Sequence, residues 1–115
     1  MSVDCLFCRI VAGEIPAAMV HEDDLIVAIR DRNPVAPVHL LLMPRIHVDS
    51  ALDLTEADAP LVGRLLAVAA ALARAEGIGD GGYRLVVNAG VDSGQTVGHL
   101  HLHLLGGRAM RWPPG

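Results

Sequence analysis

The sequence predicts an α+β fold, with an antiparallel sheet and one long helix packed across it. Three observations carry this reading. Leu61, Leu65, Val68 and Leu72 recur at intervals of four, three and four, which lays one apolar stripe along a helix. Elsewhere the apolar runs are short and bounded by Gly, Pro, Asp and Asn, the pattern of strands joined by turns. From His99 to Leu104, histidine and leucine alternate, so one face of a strand would carry His99, His101 and His103 and the other Leu100, Leu102 and Leu104.

In chain order, Asp4 is placed to cap a short helix from Cys5 to about Ala12, which Gly13 ends. Ile15-Pro16 turns the chain. Ala18 to His21 and Leu25 to Asp31 read as strands joined at Glu22-Asp23-Asp24. Pro34 and Pro37 are incompatible with helix or central strand, so Asp31 to Pro37 is a rigid loop. Val38 to Met43 is a further strand, closed by Pro44. Thr55 to Asp58 resembles a capping box, and Pro60 fits only a first turn, so the long helix starts near Asp58 and stops at Gly77. Tyr83 to Asn88 is a strand, Ala89 to Gly98 a glycine-rich loop, and the histidine strand follows. The tail beyond Arg108 holds Pro113 and Pro114 and cannot extend the sheet.

A chain of 115 residues is expected to form one domain with a real core. Phe7, Tyr83 and Trp112 are its only aromatic residues, so that core is built from Val, Leu, Ile and Ala. A net charge of −4 and the lack of a basic cluster argue against a nucleic-acid polymer as partner. Arg64 and Arg74 interrupt the most apolar stretch, so no membrane span is expected, and nothing at the start reads as a signal peptide. The expected location is cytoplasmic. Cys5 and Cys8 form one C-x-x-C, a spacing that suits a redox pair or half of a Cys₂His₂ zinc site.

Three of the six histidines fall within five positions, about 6.6 Å apart along a strand. They add little to packing and invite a chemical reading. One is a metal centre, although no acidic ligand lies between His99 and the terminus. The other is phosphate chemistry. The loop from Gly90 to Gly98 offers backbone amides and the hydroxyls of Ser93 and Thr96 as an anion cradle. A neutral imidazole beside it can attack phosphorus.

His99-Leu100-His101-Leu102-His103-Leu104-Leu105 resembles the histidine-triad (HIT) signature, three histidines alternating with apolar residues. Ser93-Gly94-Gln95-Thr96-Val97, Gly106-Gly107-Arg108 and the ending Trp112-Pro113-Pro114-Gly115 resemble the Hint branch, the histidine-triad nucleotide-binding proteins. Phe7, Glu14-Ile15-Pro16, the Asp31 loop, Ala36-Pro37-Val38-His39 and Asn88 fit as well, so the resemblance spans almost the entire chain.

The resemblance implies a five-stranded antiparallel sheet with one long and one short helix, and a homodimer in which two sheets join into a ten-stranded one. It implies binding of a purine nucleoside monophosphate and hydrolysis of the P–N bond of nucleoside 5′-phosphoramidates. A nucleotide-binding adaptor with weak hydrolysis and a dinucleoside polyphosphate hydrolase are the other functions open to such a chain. By position, His101 would be the nucleophile, the His99 carbonyl would hold its tautomer, and His39 would help orient it. His103, Asn88 and Thr96 would contact phosphate and leaving group, with Gln95 and Val97 also at the nucleotide. Asp31 would accept from the ribose hydroxyls, and Phe7, Ile10, Ile29 and Leu41 would enclose the base. The Trp112 tail would serve dimerisation and substrate selection. Cys5, Cys8, His47 and His99 would hold a structural zinc that catalysis does not require. Arg32 stands where the branch usually places an aliphatic residue against the base, which leaves base preference open.

Overall fold

The computed structural model describes residues 4–115. A short helix α1 (Leu6–Val11) leads into strands β1 (Met19–Glu22), β2 (Ile26–Arg30) and β3 (Val38–Pro44). Two 3₁₀ turns, Ala51–Asp53 and Glu56–Asp58, precede the long helix α2 (Ala59–Ala75), and strands β4 (Tyr83–Val86) and β5 (Leu102–Gly106) follow. The five strands form one antiparallel sheet in the order β1-β2-β3-β5-β4.

Period-two alternation sorts the sheet residues onto two faces. Ile26, Ala28, Leu40, Leu42, Leu102 and Leu104 face α2, meeting Leu65, Val68, Ala69 and Leu72 of its stripe, with Leu61 at the rim. Val27, Ile29, Leu41 and Met43 face the other way, against Phe7 and Ile10 of α1. The expected helix-on-sheet layer is therefore present, and the short helix closes the opposite face. No helix among the described residues is long and apolar enough to cross a membrane.

Three expectations about local structure change. The α1 cap is Cys5 rather than Asp4, its Sγ accepting the Cys8 N–H at 3.3 Å. The Thr55–Asp58 box is made, with the Thr55 N–H donating to the Asp58 carboxylate at 2.9 Å, but it closes the 3₁₀ turn just before α2. The histidine strand is shorter than the motif: β5 begins only at Leu102. Leu42 pairs with Leu102, so the register would next bring Pro44 opposite Leu100, and proline has no N–H to continue the ladder. Val48 takes over, its carbonyl accepting the Leu100 N–H at 2.7 Å. The side-chain alternation persists through this irregular stretch, because Leu100 still packs under α2.

His21, to which the sequence assigns no role, is structural. Its ring bonds the Asp23 carboxylate at 2.6 Å, and Asp23 also accepts the Leu25 and Ile26 N–H groups at the head of the β1–β2 hairpin.

Candidate active site

A cavity of about 640 Å³ opens on the sheet face that carries α1. Phe7, Ile10, Ile29, Asp31, Leu41, Thr96, Val97, His101 and His103 all line it. Phe7, Ile10, Ile29 and Leu41 are also core residues, so the same side chains that bury α1 against the sheet form the apolar wall of the cavity. The ring of Phe7 meets that of His101 edge-on, with centroids 5.0 Å apart.

His101 Nδ1 lies 2.7 Å from the His99 carbonyl oxygen. A carbonyl only accepts, so the proton sits on Nδ1 and the Nε2 lone pair is free. Among the described residues no group hydrogen-bonds that Nε2, it is not a sealed, unsatisfied atom, and His101 lines the cavity.

His39 was expected to orient His101, but its hydrogen bond goes to His103. The Val35 N–H donates to His39 Nδ1 at 3.2 Å, which makes Nδ1 the acceptor and places the ring proton on Nε2. His39 Nε2–H then donates to His103 Nδ1 at 2.9 Å, leaving His103 Nε2–H as a donor toward the cavity. Burial depresses the pKa of His39, opposed by the nearby Asp31 carboxylate. Burial, with His101 and His39 as further causes, pushes His103 down to about 4. Both rings are therefore neutral at pH 7.

Asp31 serves both as a turn residue and as a cavity residue. One carboxylate oxygen accepts the Asn33 N–H at 2.8 Å, and the other lies 3.4 Å from His39 Nε2 on the cavity wall. Two expected contacts are not on that wall. Asn88 is half-buried beyond the end of β4. The Gln95 amide is taken up by backbone: Oε1 accepts from Gly90 N–H, and Nε2 donates to the carbonyls of Asp49 and Val97.

The sequence reading missed another part of the wall, from Ile15 to Ala18 together with Leu6, Arg30 and Asn33. The signal available was an X-Pro step followed by two alanines, an extended segment whose side chains are too small to fill the space beside β2. Arg30 is occupied, binding Glu76 through two hydrogen bonds of 2.7 and 3.0 Å. Arg32 is exposed and has no ion-pair partner among the described residues.

Behind the cavity, Cys5, Cys8, His47 and His99 converge, with one ligand atom from each within 4.8 Å of the others. Sγ to Nδ1 distances are 3.4 Å for Cys5–His99, 3.2 Å for Cys8–His47 and 3.5 Å for Cys8–His99. Tetrahedral zinc with usual Zn–S and Zn–N bonds requires an S–N edge of roughly 3.6 Å, so the site needs almost no adjustment. The outer partners fit as well: His99 Nε2 lies 2.9 Å from the Pro44 carbonyl and His47 Nε2 2.6 Å from an Asp49 carboxylate oxygen. Each ring keeps its proton on Nε2 and turns the Nδ1 lone pair toward the cysteines. Burial, then hydrogen bonding and repulsion from Cys5, push Cys8 up to about 11, so a metal ion would displace thiol protons.

Asp31, His39 and His103 also cluster, but they do not suit a metal. A metal on His39 Nε2 would move the ring proton to Nδ1, against the donating Val35 N–H. That cluster is a hydrogen-bond relay.

A model of the HIT domain matches residues 12–110. The crystal structure of a HIT family hydrolase from Legionella pneumophila superposes with a TM-score of 0.96 at 52% sequence identity, covering 97% of this chain and 100% of that one. The purine nucleoside phosphoramidase of Escherichia coli is 42% identical over 110 residues, 96% of this chain and 92% of its own. The 14 kDa zinc-binding protein of Brassica juncea is 44% identical over 115 residues, 97% of this chain and all of its own.

Proposed function

The chain belongs to the HIT-domain family, and on that footing we propose that it is a nucleotide-binding hydrolase that cleaves the P–N bond of purine nucleoside 5′-phosphoramidates. The observation that carries this reading is the His101–His99 hydrogen bond, which leaves an imidazole lone pair facing a cavity of nucleotide size.

The reaction runs in two displacements at one phosphorus. His101 Nε2 attacks; the Nε2–P bond forms as the P–N bond breaks, and the leaving amine takes up a proton. Water then attacks the same phosphorus, the Nε2–P bond breaks, and the water's surplus proton is released with the nucleoside monophosphate. His103 Nε2–H and the Thr96 region face the phosphoryl oxygens, where fixed donors lower the barrier as charge builds. Phe7, Ile10, Ile29 and Leu41 hold the purine, and Asp31 accepts from the ribose hydroxyls.

Cys5, Cys8, His47 and His99 hold a structural zinc ion, whose chemistry is to cross-link α1 to the approach of β5; catalysis itself requires none. The protein is a homodimer joined along β4, a reading supported by an open sheet edge on which Tyr83 is 38% exposed, with Val87, just past the strand, 46% exposed. Trp112, 81% exposed, lies in the tail assigned to that interface. Two cysteines that form no disulfide, as zinc ligation requires, suit the reducing cytoplasm.

The test is turnover of adenosine 5′-phosphoramidate together with intact-protein mass spectrometry. Wild-type protein stopped during turnover should carry one added AMP, and His101→Ala should carry none and lose at least about a hundredfold in rate. Full turnover by His101→Ala would sink the mechanism.

A further inference from the structure

We infer that the metal centre and the nucleotide cavity are energetically coupled, and that Gln95 is the positioning residue that carries one arm of the coupling. The inference rests on the nucleotide reading above.

The two walls of the cavity meet at the metal ligands. One wall is α1, which contributes Cys5 at its cap and Cys8 within it, as well as Phe7 and Ile10 of the apolar surface. The other wall is the loop carrying Thr96 and Val97, and neither residue is a ligand. The link to the second wall runs through three residues. His47, 3.2 Å from Cys8 Sγ by its Nδ1, bonds an Asp49 carboxylate oxygen at 2.6 Å by its Nε2. The Asp49 carbonyl accepts from Gln95 Nε2 at 2.9 Å. Gln95 Nε2 also donates to the Val97 carbonyl at 3.0 Å, while its Oε1 accepts the Gly90 N–H at 2.9 Å.

One amide thus ties both ends of the 90–97 loop to the segment that carries His47. The loop's other bonds are internal, Ser93 Oγ donating to the Gly90 carbonyl at 2.6 Å and Gly94 N–H to the Val91 carbonyl at 3.1 Å; they shape the loop but do not tie it to the His47 segment. Its regular structure is a single 3₁₀ turn, Val91–Ser93, flanked by Gly90 and Gly94 at φ of +87°. Fixing His47 on a metal orders Asp49, and Asp49 holds Gln95 against the loop. Coupling of this kind is reciprocal: whatever factor the metal adds to nucleotide affinity, the nucleotide adds to metal affinity.

The experiment uses AMP and zinc as probes on the whole chain. AMP affinity is measured by calorimetry on zinc-loaded and chelator-stripped protein, and zinc affinity by chelator competition with and without AMP. Stripping is expected to weaken AMP binding about tenfold, and AMP to tighten zinc by the same factor. Gln95→Ala and Gln95→Glu, both zinc-loaded, separate the link from the loop's shape. The glutamate keeps the acceptor for Gly90 N–H but turns a carboxylate toward the carbonyls of Asp49 and Val97.

Both variants should keep one zinc per chain, bind AMP about tenfold more weakly and raise KM, with kcat changed by less than about twofold. Equal AMP affinity with and without zinc, or Gln95→Glu behaving as wild type, overturns the coupling. If stripped protein unfolds, the two zinc-loaded variants decide alone. Absence of AMP binding in every form overturns the nucleotide reading itself, and the coupling with it.

Discussion

His39 donates its Nε2–H to Nδ1 of His103 across 2.9 Å, and the Val35 N–H on the far side of His39 decides the direction of that bond. One buried and one half-buried imidazole are held neutral in series, and the last presents an N–H to the cavity. A donor that keeps its proton without carrying charge can bind a phosphoryl oxygen without trapping the anionic product.

The relay has a signature in acid. His103 in the fold is held down to about 4, whereas unfolded histidine titrates at about 6.5. Below that upper value the unfolded chain binds protons that the fold refuses, so stability present above about pH 6.5 is lost progressively as pH falls toward 4. The His103 imidazole resonance followed by NMR should titrate near the lower value, and His103→Asn should flatten the loss of denaturation midpoint between pH 6.5 and 4. A His103 midpoint near 6.5 would contradict the arrangement.

Asp31→Asn separates the two jobs of that side chain. The amide oxygen still accepts the Asn33 N–H that Asp31 holds at 2.8 Å, so the turn and the melting temperature should survive. The negative charge toward the ribose goes. Loss of a charged hydrogen bond costs about 1.5–3 kcal/mol, so kcat/KM for a ribonucleotide substrate should fall at least about tenfold. The 2′-deoxy analogue, already lacking one hydroxyl, should lose less; equal losses for both would remove Asp31 from sugar recognition.

Gly106→Ala addresses packing at the end of β5. An added Cβ would lie 2.5 Å from Ile78 Cδ1 and 3.1 Å from its Cβ. Overpacking of this kind costs about 1–3 kcal/mol, to be read as a lower denaturant midpoint at unchanged slope. Ile78→Val removes the nearest atom, Cδ1, so the double variant should recover part of the loss. No destabilisation in the single variant would show that this corner is looser than its geometry.

Much of this was legible in the residues themselves. The Leu61–Leu72 stripe and the Leu100–Leu104 alternation fix what lies between sheet and helix, because burial follows period and period is local. The limits of the histidine strand were not legible, since they depend on Pro44, which meets Leu100 only through the β3–β5 register. The C-x-x-C announced half a metal site, and His47 and His99 could be added by resemblance. Their outer partners could not, because Asp49 and the Pro44 carbonyl are selected by three-dimensional proximity alone. The partners of the Gln95 side chain are hidden from the sequence for the same reason. It lies one residue from the cavity wall in sequence, yet its amide is engaged 46 positions away at Asp49. His39 lies beside the histidine strand, and its hydrogen bond runs to His103 with a direction that the Val35 amide decides, a contact no sequence spacing reveals.

The Arg30–Glu76 pair has an effect that reaches past the residues it joins. With the Arg30 guanidinium drawn to Glu76 at the end of α2, on the other side of the sheet, Arg32 is the arginine left without an ion-pair partner among the described residues lining the cavity, in a chain whose overall charge is −4. The far field repels an incoming anion, and attraction begins only within about a Debye length of the mouth, roughly 8 Å at physiological ionic strength. Diffusing ligands are therefore captured by contact chemistry instead of being steered from a distance, and added salt would hasten their arrival by screening the repulsion.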